Sequence, residues 1–239
     1  MKKFYVLMAM LVLAAGLYAQ KDVTKFLGIP IDGTKQAMIQ KLKAKGFTYN
    51  QKDNILEGEF NGENVNIHIV TQGNKVYRIG VSDNSTRDEA QIRLRFNELL
   101  SQFENNPKYF GYVGNERIDD DEDISYNISI LNKQYEATFF QVRDSAFLSN
   151  YVKEKYAKEI KEMHDYYNQF TEAEWENPTQ EMYDTYSKLD QNFTEKANAD
   201  IIELYSMRQV WFMISEFQGE YYINISYDNN YNKADGSDL

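Results

Sequence analysis

Val65-Asn-Ile-His-Ile-Val-Thr-Gln-Gly-Asn-Lys-Val-Tyr-Arg-Ile-Gly-Val-Ser82 carries two alternating apolar runs around a turn signal. Val65, Ile67 and Ile69 fall on one side of the first run, and Tyr77, Ile79 and Val81 on one side of the second. Gln72-Gly-Asn74 lies between them. Period-2 alternation on both flanks of a Gly/Asn turn specifies an antiparallel hairpin with one buried face. A sheet that starts this way must bury that face against something else.

The neighbouring sequence supplies the covering layer. Upstream, Asp32-Gly-Thr34 opens a helix whose stripe is Met38, Ile39 and Leu42, and Gly46 stops it. Leu56, Gly58 and Phe60 alternate in another strand, with Asn61-Gly62 as its turn. Downstream, Thr86-Arg-Asp-Glu89 reads as a capping box for a helix bearing Ile92, Phe96, Leu99, Leu100 and Phe103. Tyr109 to Val113 reads as a short strand. Ile124, Tyr126, Ile128 and Ile130 alternate, as do Tyr135, Ala137 and Phe139 beyond Asn132-Lys133, which predicts a second hairpin.

From Ser145 the spacing turns helical. Leu148, Val152, Tyr156, Ile160, Met163, Tyr167 and Phe170 form one stripe. A capping box at Thr171–Glu174 follows, then a further helix from Pro178 with Met182, Tyr186, Leu189 and Phe193 on its apolar face. Val210 to Ile214 and Tyr221 to Ile225 make a last hairpin. Its first strand is apolar on both faces, which predicts a central place in the sheet and a core position for Trp211.

The fold class expected is α+β: an antiparallel sheet built from hairpins, with helices packed mainly on one face. The hairpin at 65–82 is echoed by Val210-x-Phe-x-Ile214 and Tyr221-x-Ile-x-Ile-Ser226. Amphipathic hairpins of any origin look alike, so the echo counts as a weak likeness between two halves. The opposite sheet face is expected to carry His68, Arg78, Ser125, Asn127 and Asn224, with Tyr side chains between them.

The N-terminus sets a location. Lys2-Lys3, the apolar run Phe4 to Ala15 and Gly16-Leu-Tyr-Ala19, with a small residue at the expected cut, read as an export signal, with Gln20 as the new N-terminus. The run is shorter than the roughly 20 residues a spanning helix needs, so no stable membrane insertion is expected after its removal. The organisation expected is therefore a signal peptide at 1–19 and an α+β region with two helices and two strand clusters at 20–142. A helical segment at 143–204 follows, then a C-terminal hairpin and polar tail at 205–239. The product is expected to be soluble, in the periplasm or outside the cell.

Composition limits the chemistry. Among 239 residues there are 37 Asp+Glu against 26 Lys+Arg, a formal net charge of −11. An acidic surface repels phosphate backbones, so nucleic acid is not an expected partner. With no Cys, neither a disulfide framework nor a thiol nucleophile exists, and the two His lack ligand spacing. No Gly-x-Ser-x-Gly and no Gly-rich phosphate loop occurs. Asp119, Asp121 and Asp123 begin like a calcium loop, but position six is Ile124 and position twelve Ile130. That loop requires Gly and Glu there, so a solvated loop is the preferred reading. No catalytic residue and no cofactor site is assigned.

The function this leaves is a non-enzymatic binding or interaction protein with a protein or glycan partner. The alternative is a glycan hydrolase acting through a carboxylate pair. The candidate partner surface is Tyr166, Tyr167 and Trp175. Tyr167 belongs to the helix stripe and is expected to be buried, Tyr166 to be exposed.

Phe26-Leu-Gly-Ile-Pro-Ile-Asp-Gly33, Lys45-Gly-Phe47, Tyr135-Glu-Ala137, Val210-Trp-Phe212 and the tail from Tyr227-Asp-Asn to Leu239 resemble a set of exported proteins of unknown function from Gram-negative gut commensals. That resemblance brings no assigned activity. The helix-then-three-strands unit at 34–83 is more loosely similar to beta-lactamase-inhibitor-like and outer-membrane assembly lipoprotein modules. This implies a protein-binding rather than an enzymatic role, without the Cys those modules carry.

Overall fold

The computed structural model describes residues 22–234. The expected export signal, with its expected cut near Ala19-Gln20, and the last residues of the polar tail lie outside the described residues. Within them an eight-stranded antiparallel sheet, a two-stranded ribbon and seven α-helices make an α+β fold.

The chain opens with a ribbon of β1 (Lys25–Phe26) and β2 (Ile29–Pro30), followed by helix α1 (Lys35–Lys43). A meander follows: β3 (Thr48–Asn50), β4 (Ile55–Phe60), β5 (Glu63–Gln72) and β6 (Lys75–Asp83). Helix α2 (Glu89–Glu104) opens the second half. β7 (Tyr109–Gly111), the short helix α3 (Ile124–Ser129) and β8 (Glu136–Gln141) come next. Four helices then run before the final hairpin of β9 (Gln209–Phe217) and β10 (Glu220–Asp228): α4 (Ser145–Lys155), α5 (Ala157–Tyr167), α6 (Glu172–Glu176) and α7 (Gln180–Ser206).

Strand order is β3-β4-β5-β6-β10-β9-β8-β7. Each half is thus a helix followed by a four-stranded meander, and the two halves join through their last strands. The register sharpens the likeness. Ile67 faces Val81 and Ile69 faces Ile79 in the first hairpin, while Phe212 faces Ile225 and Ile214 faces Ile223 in the last. These are the positions matched by the sequence echo. Across β6 and β10, Val81 meets Ile225, Gly80 meets Ser226 and Ser82 meets Asn224. A local two-fold relating the hairpins therefore passes beside the Val81–Ile225 pair. The turns of β4–β5, β5–β6 and β9–β10 each hold two residues at positive φ: Asn61-Gly62, Gly73-Asn74 and Gln218-Gly219. That conformation matches the right-handed twist of the flanking strands.

One sheet face is the core. Helix α1 buries Met38, Ile39 and Leu42 over the first meander. Helix α2 buries Ile92, Phe96, Leu99, Leu100 and Phe103 over the second, with the Phe96 ring 5.0 Å from Phe212 and Phe103 stacked 4.8 Å from Phe139. Offset and edge contacts of this kind add to the area term of burial.

Several expectations are corrected. The stretch 124–130 is not a strand. Asp123 caps a helix by accepting from the Tyr126 amide, and Ile124 is buried while Tyr126 and Ile130 are exposed. Residues i and i+4 share a face in both periods, so Ile124 and Ile128 fit a helix as well as the alternation that suggested a hairpin. Ser125 and Asn127 consequently leave the sheet: the Ser125 hydroxyl lies 2.9 Å from the phenol of Tyr221, on the core side. Helix α2 is capped by Asp88, which accepts from the Gln91 amide, while the Thr86 hydroxyl bonds Glu220 across to β10. The helical stripe from Ser145 is broken at Tyr156, which ends α4 and starts α5. Pro178 precedes the Thr179 N-cap of α7 instead of opening that helix.

Trp211 is not in the core. It faces the other side of the sheet, half-buried, and its indole N–H donates to Asp228 Oδ2 at 3.1 Å. Arg78 grips the same carboxylate at 2.6 and 2.7 Å, with its guanidinium carbon 5.2 Å from the Trp211 ring centre. This face carries His68, Arg78 and Asn224 as expected. It is not Tyr-rich, and the end of α7 reaches it where Tyr205 meets Phe110 at 4.7 Å.

Candidate interaction surface on the inserted arm

β8 and β9 pair directly, Phe139 against Val210 and Ala137 against Phe212. Helices α4 to α7 are therefore inserted between two adjacent strands. Asp144 begins the insertion by accepting from the Ala146 and Phe147 amides. Arg143 and Arg208 bracket it, and both reach the Asp22 carboxylate, at 3.1 and 2.6 Å. Arg143 also donates to the carbonyl of Leu204, which ties the end of α7 back to the start of α4.

The arm has a thin interior. Helices α4, α5 and α6 hold no buried residue, and α7 buries only Met182 and Ala197 along 27 residues. At a rise of 1.5 Å per residue α7 is about 40 Å long. Near the base, Asp200 accepts from the Tyr156 phenol and pairs with the Lys155 ammonium, each at 2.5 Å. The Asp200 carboxylate pushes the phenol up to about 12. Those same donors, Lys155 first and Tyr156 second, hold Asp200 below the usual carboxylate range. Tyr156 packs edge-on against Phe193 at 5.7 Å.

The three candidate residues meet at the far end. Trp175 stacks on Tyr167 with ring centres 5.0 Å apart and planes 7° from parallel, and its indole N–H donates to the Tyr167 carbonyl at 3.0 Å. Tyr186 and Phe170 pack edge-on against Trp175 at 5.4 and 5.8 Å, and Tyr166 contacts both Phe170 and Trp175. The capping box at Thr171–Glu174 sets α6 at the angle that delivers Trp175 into this cluster. The expected exposures are reversed. Tyr167 is 43% exposed and Tyr166 only half-buried, because Tyr167 offers one ring face to Trp175 and the other to solvent. Tyr183, one turn along α7 from the cluster, is 60% exposed.

The α6 and early α7 side of this end is acidic: Glu172, Glu174, Glu176, Glu181 and Asp184 lie in the stretch 172–187, which contains no Lys or Arg. On α5, Glu162 and Asp165 are already paired with Lys158 and Lys161, at 3.6 and 2.5 Å. Glu174 is held below its ordinary value by the amide and hydroxyl of Thr171. The rings thus sit among carboxylates, as an acidic and aromatic knob.

Elsewhere, Asp119, Asp121 and Asp123 do not converge. Asp123 is spent as a helix cap, and among the described residues no group of three or more His, Asp or Glu is arranged to hold a metal ion. A cavity of about 720 Å³ lined by Lys25, Phe103 and Arg208 presents among the described residues a single carboxylate, Asp144, already engaged as a cap. A carboxylate pair for glycan hydrolysis is not assembled there. Arg143 and Arg208 were not singled out in the sequence. Their signal is positional: two Arg flanking the helical run.

No described helix is long and apolar enough to cross a membrane. Compared with known proteins, the chain matches no family model, no curated protein and no solved structure.

Proposed function

We propose that this chain is an exported, non-enzymatic binding protein whose inserted arm docks a basic segment of a partner protein. The observation that carries this reading is the direct pairing of β8 with β9. A short turn would close that pair, yet residues 142–208 form an arm with little buried surface and a cohesive aromatic end. Structure that adds little to the core and still orders large rings serves recognition. The carboxylates around the rings select a cationic partner, through charge complementarity and Lys or Arg placed over Tyr and Trp faces. Export is supported by the basic and apolar N-terminal run alone.

Two experiments test this. N-terminal analysis of the native protein is expected to find Gln20 or a residue within about two of it; an intact Met1 in the cytosol overturns export. A photo-crosslinker at position 183, incubated with an envelope extract of the source cells, is expected to join a Lys- or Arg-rich segment. Trp175→Ala and Glu172→Lys should abolish that adduct. An adduct unchanged in either variant, or one formed on a glycan, overturns the protein-docking role.

A further inference from the structure

The cavity lined by Lys25, Phe103 and Arg208 opens between the β1–β2 ribbon, the C-terminal end of α2 and the end of β8. Its lining includes the rings of Phe60, Phe103 and Tyr109 and the cations Lys25, Lys108, Arg143 and Arg208. In a chain of net charge −11 this is a local inversion of sign.

Two of these cations are built into the fold. Arg143 is 3% and Arg208 5% exposed, and both converge on the one carboxylate of Asp22. The Arg143 donors are taken up by Asp22, Leu204 and Tyr231. Arg208 reaches Asp22 and the Gln141 side chain, and among the described residues its Nε–H has no acceptor. Burial, ahead of the attraction of Asp22, lowers Arg208 from its usual value, as expected where two guanidiniums share one counter-charge. Lys25 and Lys108 are exposed and can close on an occupant, and Asp144 is engaged by the amides of α4.

We infer that this cavity binds a small organic carboxylate carrying an apolar body. Buried guanidiniums set a fixed positive potential that solvent does not screen, and the lysines supply the direct ion pairs. The Phe and Tyr rings of the lining take the apolar part. A purely inorganic anion would leave those rings unused, and an uncharged lipid would leave the cationic charge beyond that paired with Asp22 uncompensated.

The test uses the purified full chain with octanoate and octanamide, which share their apolar part and differ in charge. Calorimetric titration is expected to show saturable octanoate binding, with octanamide at least about tenfold weaker. Val142→Trp, which fills the cavity from an exposed position, and the pair Lys25→Ala with Lys108→Ala should each weaken octanoate at least about tenfold with unchanged circular dichroism. Equal binding of acid and amide overturns the inference. So does binding unaffected by Val142→Trp, or no saturation below about 10 mM. Trp175→Ala should leave octanoate binding intact, so failure of the arm's docking role and failure of this pocket are read separately.

Discussion

Val81 and Ile225 face each other at the centre of the sheet, from strands that end the two halves of the chain. Each is 2% exposed, and each occupies the matching place in its own hairpin. The pair is the seam at which two amphipathic meanders become one core. Ile225→Ala removes buried volume there and is expected to destabilise by about 3 kcal/mol in urea denaturation. A cycle with Val81→Ala should show a coupling of at least about 0.5 kcal/mol, because the two side chains share one environment.

Asp228 is expected to be the most sensitive polar residue of the sheet. It accepts from Arg78 and from the Trp211 indole while itself 2% exposed. Asp228→Ala leaves a guanidinium and an indole N–H without their acceptor and should cost about 2 to 3 kcal/mol. The Trp211 emission maximum should move with it.

Gln218 sits at φ 55° in the β9–β10 turn, where the other two hairpins use Asn or Gly. A side chain branching into that region is strained, and Asn is tolerated better. Gln218→Asn should therefore raise stability by about 0.5 to 1 kcal/mol, seen as an increase in Tm.

Glu89 links α2 to α3, accepting from the Ser125 hydroxyl and from the Ile124 amide, both at 2.7 Å. The Ser125 hydrogen bond, opposed by burial and reinforced by the amides of Ile124 and Ser125, holds the carboxyl below its ordinary value. A depressed folded value means the contribution is complete above the unfolded value of about 4.3 and is lost as pH falls through the folded one. Glu89→Gln should lower Tm at pH 7, and the gap to the parent should close towards about pH 3. A gap constant with pH would refute the assignment.

The arm and the sheet should unfold in separate steps. Trp175 and Trp211 are the only two tryptophans, one in each. With Trp211→Phe the remaining fluorescence reports the arm, and with Trp175→Phe it reports the sheet. The arm transition should come at lower denaturant, since so little of it is buried. Coincident transitions would show that the arm is part of the core.

Much of this architecture was legible because local signals agree. The hairpins at 65–82 and 210–225 join alternation to turn residues, and α1 and α2 bury the stripes read from their spacing. Ile124 to Ile130 misled because a four-residue repeat fits both periods. The pairing of β6 with β10 leaves no local trace, since it depends on contacts far apart in sequence. Tyr166, Tyr167 and Trp175 stood out by aromatic density, but which ring covers which is decided by the angle of α6. Arg143 and Arg208 were missed because a lone Arg at the border of a strand and a helical run has no period to betray it.

Both outermost strands of the sheet, β3 and β7, are three residues long. A growing stack of chains needs a long free ladder of amides and carbonyls, and neither border offers one. Tyr- and Ile-rich strands of the kind found inside this sheet would polymerise readily if they stood at its margin. Sequestering them in the middle leaves neither outermost strand long enough to serve as a template for stacking copies of the chain.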